Sequence, residues 1–252
     1  MAKTKKFGID VSIFQGEINW GEVVADNIKF AMIKASQGHS VRDFNTYLFQ
    51  DKYFARNVVE AHKHGVPVGV YHYLTARTTA DAVVEAEYFI KVITPYKDRI
   101  KLWAAVDVEE GKYLPETKNA LTAVVDTFCR VVQRAGFKPM VYTNPNYLKH
   151  KLNDISEWPL WLALWRSLSF VPSTKTYPNM KIWQYGGRKV KGIYTKEKVD
   201  ADLAIDIPEL NGKINYADEV CRKCGLEGQT KDYLNKYKYA DDLWRKLYEQ
   251  MK

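Results

Sequence analysis

Asp107-Val108-Glu109 closes the apolar run Leu102-Trp103-Ala104-Ala105-Val106. Side chains alternate along a strand, so two acids at i and i+2 share a face, separated by two rises of about 3.3 Å each. Carboxylates at the end of a strand that otherwise reads as buried are costly unless paired or hydrogen-bonded. Cleavage of a glycosidic bond needs such a pair, one carboxyl group as proton donor and another as nucleophile, base or stabiliser. An ion pair with Lys or Arg would also account for the two acids taken alone. Two further acids stand in comparable settings: Asp10 in Phe7-Gly-Ile-Asp-Val-Ser12, and Asp200 in Val199-Asp-Ala-Asp202. Singly, Asp10 reads as a strand-end cap bonded to backbone amides and Asp200 as a structural residue beside a turn. Together, the four acids strengthen the reading of the pair.

The elements that must position them alternate. Strands are predicted at 7–12, 30–35, 66–74 and 102–108, then at 140–143, 160–165, 181–185 and 199–205. Helical spacing spans 19–26, 54–64, 79–93 and 116–135. Thr78 or Thr79 serves as an N-cap for the third helix, and Gly136 closes the last. Beyond residue 136 the helices shrink. Eight strands with helices in the first half predict an α/β, TIM-like (β/α) barrel with reduced helices in its second half. In such barrels chemistry sits at the C-terminal ends of the strands, where Asp10, Asp107 and Glu109 fall.

The barrel is expected to occupy residues 1–206 and a linker 207–216, with Pro208 and Asn211-Gly212. A small helical segment then runs over 217–252, too short for a robust independent core. Lys plus Arg number 38 against 30 Asp plus Glu, a net charge of +8 that suits a polyanionic partner. The basic residues are scattered, with no basic helix or nucleic-acid motif, so no nucleic-acid partner is expected. Cys129, Cys221 and Cys224 form no disulfide framework, and Cys221-Arg-Lys-Cys224 lacks the second pair of a zinc site. Neither H-E-x-x-H nor another metal cluster is present, and His62, His64 and His72 read as ordinary. No metal or cofactor is expected. Met1-Ala-Lys-Thr-Lys-Lys leads directly into a strand without a signal-peptide pattern, and no apolar run is long enough for a membrane helix. Synthesis in a cytoplasm and no membrane insertion are therefore expected.

In order along the chain, Gly8-Ile-Asp-Val-Ser-x-x-Gln-Gly16 with Ile18-Asn-Trp20, Phe30-Ala-Met-Ile-Lys-Ala-Ser-Gln-Gly38, Gly69-Val-Tyr-His-Tyr73 and Asp107-Val-Glu109 resemble the glycoside hydrolase family 25 lysozymes. Val141-Tyr-Thr-Asn144, Pro159-Leu-Trp-Leu-Ala163, Ile182-Trp-Gln-Tyr185 and Val199-Asp200 continue the match through about residue 206. The resemblance implies a flattened, irregular α/β barrel. It also implies cofactor-free cleavage of the β-1,4 bond between N-acetylmuramic acid and N-acetylglucosamine in bacterial peptidoglycan. By position, Glu109 would be the general acid. Asp107 would stabilise developing positive charge or orient the 2-acetamido group as an internal nucleophile, and Asp10 and Asp200 would complete the pocket. Two departures stand out. Asp202 replaces the Asn usual in V-D-x-N, and Trp165 stands where Tyr is usual.

Tyr71, Tyr73, Tyr142, Trp161, Trp165 and Trp183 are the candidate sugar-contacting rings, each fitting core or cleft. Lys34 is a candidate contact for the substrate's lactyl or peptide carboxylate. Gly228-Gln-Thr-Lys-Asp-Tyr-Leu234 with Tyr237-Lys-Tyr239 resembles a degenerate copy of a wall-binding repeat of phage lysozymes, so residues 217–252 either bind the wall or pack as an arm. The resemblance points to a phage endolysin made in the host cytoplasm and acting on the cell wall. A non-catalytic wall-binding protein on the same barrel is the rival, and retention of all four acids argues against it.

Overall fold

The computed structural model describes residues 6–40, 46–109, 112, 114–205, 207, 210, 220–221, 224–226 and 228–251. Most of the predicted linker, 207–216, lies outside the described residues. Continuous apolar runs, rather than alternating ones, mark strands buried on both faces. They form β1 (Lys6–Val11), β2 (Ile28–Ser40), β4 (Val68–Tyr73), β5 (Ile100–Asp107), β6 (Pro139–Thr143), β7 (Leu160–Ala163), β8 (Met180–Arg188) and β9 (Val199–Ala204), with β3 (Thr46–Gln50) beside β2. The order β1-β9-β8-β7-β6-β5-β4-β2 closes on itself through β1–β2 pairing, giving an eight-stranded barrel. One apolar cluster fills the interior, around Phe30, Met32, Tyr71, Trp103, Met140, Trp161 and Ile182.

Outside the barrel, α1 (Trp20–Ala25), α2 (Phe54–Lys63), α3 (Thr79–Ile93) and α4 (Lys118–Arg134) cover the first half. Their apolar stripes, such as Leu121, Val125, Phe128 and Val132 on α4, are buried. Thr78 caps α3 in a capping box with Asp81, and Thr117 caps α4. In the second half only α5 (Pro145–His150) is helical before β7, and no helix separates β7 from β8 or β8 from β9. The thinning expected from the sequence is present.

Two features differ from expectation. First, β2 continues past Ala35 to Ser40 and pairs antiparallel with β3, a strand not predicted because the Ser36–Ser40 extension is polar and the apolar run Tyr47-Leu-Phe49 is only three residues long. Ser36 instead anchors the extension inside a buried polar network. Its Oγ lies 2.8 Å from His72 Nδ1, and His72 Nε2 is 2.9 Å from Glu85 Oε2, while Glu85 also accepts from Thr75 N and Oγ1. Second, β9 runs antiparallel to both β1 and β8. Without a crossover helix, the short connection after β8 reverses the chain, and an antiparallel strand follows.

Residues Met1–Leu210 form one compact unit and Asn211–Lys252 a second. In the second unit, α6 (Gly228–Asn235) and α7 (Ala240–Gln250) pack around buried Trp244 and Val220. Trp244 Nε1 donates to Asn235 Oδ1 at 2.8 Å. Tyr233, Tyr237 and Tyr239 are exposed.

Candidate active site

At one end of the barrel a cavity of about 530 Å³ is lined by Asp10, Lys34, Tyr71, Tyr73, Asp107, Glu109, Tyr142, Trp161, Trp165 and Asp200. Strand register places them. Asp10 on β1 lies opposite Asp200 on β9, and Asp107 on β5 lies between Tyr73 on β4 and Tyr142 on β6. The reversal of β9 explains why Asp200, near the start of its strand, joins acids at the ends of theirs.

Strand β5 ends at Asp107, yet the alternation persists for two more residues. Val108 is buried in the outer core, while Asp107 and Glu109 both face the cavity. Three bonds hold this turn. Val108 N donates to Tyr142 O at 2.9 Å, Thr143 Oγ1 to Val108 O at 2.8 Å and Tyr147 Oη to Glu109 O at 2.9 Å.

Lys34 is the single cation among the described lining residues, and its Nζ sits 4.9 Å from the centre of the Tyr73 ring. Burial lowers its proton affinity, opposed by attraction from Asp107, Asp51 and Glu109. Burial, then repulsion from Glu109, pushes the Asp107 pKa well up, with Lys34 pulling the other way. The Asp10 pKa is raised by burial and by Asp202 and Asp200, against a hydrogen bond from Gln184. Burial raises that of Asp200. Tyr71 and Tyr142 are held as neutral phenols, chiefly by burial and then by the surrounding acids. Crowded, desolvated carboxyl groups therefore keep protons at pH values where exposed ones have lost them. Such a site can supply a proton to a leaving oxygen while another carboxylate faces developing positive charge.

Trp183 does not join the site. It is fully buried on the other side of β8, packed with Leu160, Leu162, Met180 and Leu203, and its Nε1 donates to Leu164 O at 2.7 Å. Its neighbour Gln184 lines the cavity instead, with Ser12, Phe14, Gln15, Asn144 and Ala163. Sequence reasoning passed over these residues. Strand parity requires only that Trp183 and Gln184 face opposite ways, and it is the pairing of β8 that turns Gln184 inward. Gln184 Oε1 accepts from Tyr142 Oη at 3.1 Å and from Trp165 Nε1 at 3.0 Å, which turns its amide nitrogen toward Asp10. Phe14 stands 80% exposed on a short 3-10 turn, Ile13–Gln15. That turn is fixed by the Ser12–Gln15 capping box and by Ile13 N donating to Asp51 Oδ2 at 2.7 Å. Gly16, at φ 63°, provides the left-handed exit that other residues rarely adopt.

The family model for glycosyl hydrolases family 25 matches residues 9–192. The chain belongs to this family. Asp10, Asp107 and Glu109 lie inside the matched stretch, whereas Asp200 falls beyond it. Among curated family relatives, Lysozyme M1 of Streptomyces globisporus is 29% identical over 190 residues, 71% of this chain and 60% of that protein. The autolytic lysozyme of Clostridium acetobutylicum is 31% identical over 157 residues, covering 62% of this chain and 44% of its own. The chain thus spans 60% or less of the length of these two relatives. A solved family 25 glycosyl hydrolase from Bacillus anthracis superposes with a TM-score of 0.65 at 28% identity, over 83% of this chain and 93% of that one.

Among the described residues, no group of three or more His, Cys, Asp or Glu side chains is arranged to hold a metal ion, and no helix is long and apolar enough to cross a membrane. Cys129, Cys221 and Cys224 are free thiols.

Proposed function

We propose that this protein is a lysozyme of the N-acetylmuramidase type, hydrolysing the β-1,4 bond between N-acetylmuramic acid and N-acetylglucosamine in bacterial peptidoglycan. The observation that carries this reading is the convergence of Asp10, Asp107, Glu109 and Asp200 in one cavity with a single lysine. In this reading Glu109 protonates the glycosidic oxygen as the bond to the anomeric carbon breaks. Asp107 stabilises the positive charge on the sugar or orients its 2-acetamido group, and water completes the hydrolysis. Asp10 and Asp200 position the sugar, and Lys34 faces a substrate carboxylate. Tyr73 and the half-exposed Trp165 supply flat faces for the rings, over a floor formed by the buried Tyr71, Tyr142 and Trp161.

The biological role consistent with this chemistry is that of a phage endolysin, produced in the host cytoplasm and acting on the wall, drawn to wall phosphates and carboxylates by its net charge of +8. Residues 217–252 would bind the wall. The exposed Tyr233, Tyr237 and Tyr239 of the second unit support that role.

Mass spectrometry of products from purified peptidoglycan tests the reaction. The native chain is expected to release fragments with muramic acid at the reducing end, and Glu109→Gln to release none. Intact glycan with the native chain would refute the muramidase reading, and cleavage unaffected by Glu109→Gln would refute the acid assignment. Sedimentation of Glu109→Gln with cell walls, before and after truncation at Leu210, tests the tail. Undiminished pelleting would refute wall binding there.

A further inference from the structure

One buried carboxyl has no role in the scheme above. Asp202 lies two residues beyond Asp200 on β9, so alternation places it on the same inner face, one step deeper in the barrel. It is fully buried and does not line the cavity. Its Cα pairs with Gly8 on β1 and with Gln184 on β8. Gly8 must be glycine, because a Cβ there would collide with the Phe30 ring. Asp202 Oδ1 accepts from Trp161 Nε1 at 2.8 Å, but no hydrogen-bond donor reaches its Oδ2. Asp10, two residues along β1 from Gly8, is the diagonal neighbour of Asp202 on the same inner face, and the two carboxyl groups act on each other.

Two ionised carboxylates offer only acceptors to each other, and burying both without a cation costs far more than neutralising one. A single proton between them removes the repulsion and turns the contact into a strong, charge-assisted hydrogen bond. We propose that Asp202 is a positioning residue for the reaction, holding a proton that it shares with Asp10 and thereby fixing the Asp10 carboxyl from beneath while Gln184 fixes it from the side.

The groups facing the pair agree with this. Asp200 on the same strand adds negative charge to both, Asp107 on β5 adds more to Asp10, and Tyr185 on β8 is the nearby phenol. No lysine, arginine or histidine acts on Asp202 among the described residues. Burial pushes its pKa up to about 8, so the proton is retained at neutral pH. Asp10 is then held between two donors and presents an ordered acceptor edge to the sugar. The positioning role rests on the hydrolase reading, whereas the shared proton does not.

The test compares the native chain with Asp202→Asn and Asp202→Leu, each checked for folding by circular dichroism. Infrared difference spectra of native minus Asp202→Asn are expected to show a carboxylic-acid carbonyl band at pH 7 that fades with a midpoint near pH 8. On purified peptidoglycan Asp202→Asn, whose amide donates without titrating, keeps kcat within about threefold, whereas Asp202→Leu loses about tenfold or more with little change in KM. Absence of the acid band at pH 7 would overturn the shared proton. Native kcat in Asp202→Leu would overturn the positioning role. Should no form cleave peptidoglycan, the hydrolase reading and the positioning role fail together, and the infrared band alone decides the proton. If the leucine variant fails to fold, the band and the pH dependence of kcat in the asparagine variant decide the matter. A profile and spectrum identical to native would count against it.

Discussion

Gln184 Nε2 donates to Asp10 Oδ2 at 3.0 Å, joining residues 174 positions apart in the chain. The orientation of that amide is forced, because Tyr142 and Trp165 both donate to its oxygen. Replacing Gln184 by Leu should remove a donor from Asp10 and leave the buried Tyr142 hydroxyl without its acceptor. The expected result is a loss of about tenfold or more in kcat and of about 1–3 kcal/mol in stability. Peptidoglycan kinetics and urea unfolding measure the two effects. Native values for both would mean that the amide positions nothing.

The opposing pulls on Asp107 give a prediction about pH. Burial and Glu109 raise its pKa, and Lys34 counteracts them. In Lys34→Met that counteraction is lost, so Asp107 holds its proton to higher pH. If ionised Asp107 is required, the acid limb of kcat/KM should move to higher pH. A limb that stays in place, or moves down, would separate Asp107 from the acid side of the profile.

Much of this site was legible because strand parity and strand ends are local properties. Asp107 and Glu109 share a face across Val108, and Tyr71 and Tyr73 share one across His72, as their spacing requires. What was not legible depended on pairing between distant segments. Nothing in Ile182-Trp-Gln-Tyr185 reveals which face of β8 turns inward, since each residue is large enough for either side; from its sequence Trp183 fits core or cleft, and only the pairing of β8 places it in the core and Gln184 in the cavity. The polar Ser36–Ser40 extension of β2 carries no apolar pattern; its strand conformation comes from β3 and from the buried His72–Glu85 contact. Likewise, the direction of β9 follows from a missing helix rather than from Val199–Ala204 itself.

Phe14 projects from the cavity rim on a turn anchored by Asp51, and little of its ring is covered by protein. Its truncation to Ala should therefore leave stability within about 0.5 kcal/mol of native. If a sugar stacks on it, KM should rise several-fold while kcat holds. Unchanged KM on long glycan strands would exclude such stacking.

Glu85 satisfies the backbone N–H and hydroxyl of Thr75 together with His72 Nε2, all within the core. Both Glu85 oxygens already accept from the Thr75 donors, so His72 donates to Oε2 through Nε2 and accepts from Ser36 through Nδ1. Glu85→Ala would strand three donors and release the extended end of β2 from α3. A loss of about 3–5 kcal/mol is expected by urea unfolding. A loss under 1 kcal/mol, well below that range, would show that water replaces the carboxylate easily.

Buried acids also make stability depend on pH with a definite sign. Asp202 has a folded pKa of about 8 against an ordinary value of 3.8. Below the ordinary value both states are protonated and the group contributes no pH dependence. Between the two values the unfolded chain has released a proton that the folded chain retains. Stability then falls as pH rises, by up to about 1.4 kcal/mol per pH unit for one such group. Above the folded value both states are ionised and the slope ends. Asp202→Asn removes this titration, so the variant should gain stability relative to native as pH is raised from 4.5 to 8. Urea unfolding of both chains at pH 4.5, 6 and 8 measures the difference. A stability of the variant minus that of native which stays constant across that range, or falls as pH rises, would mean that Asp202 is ionised in the folded protein.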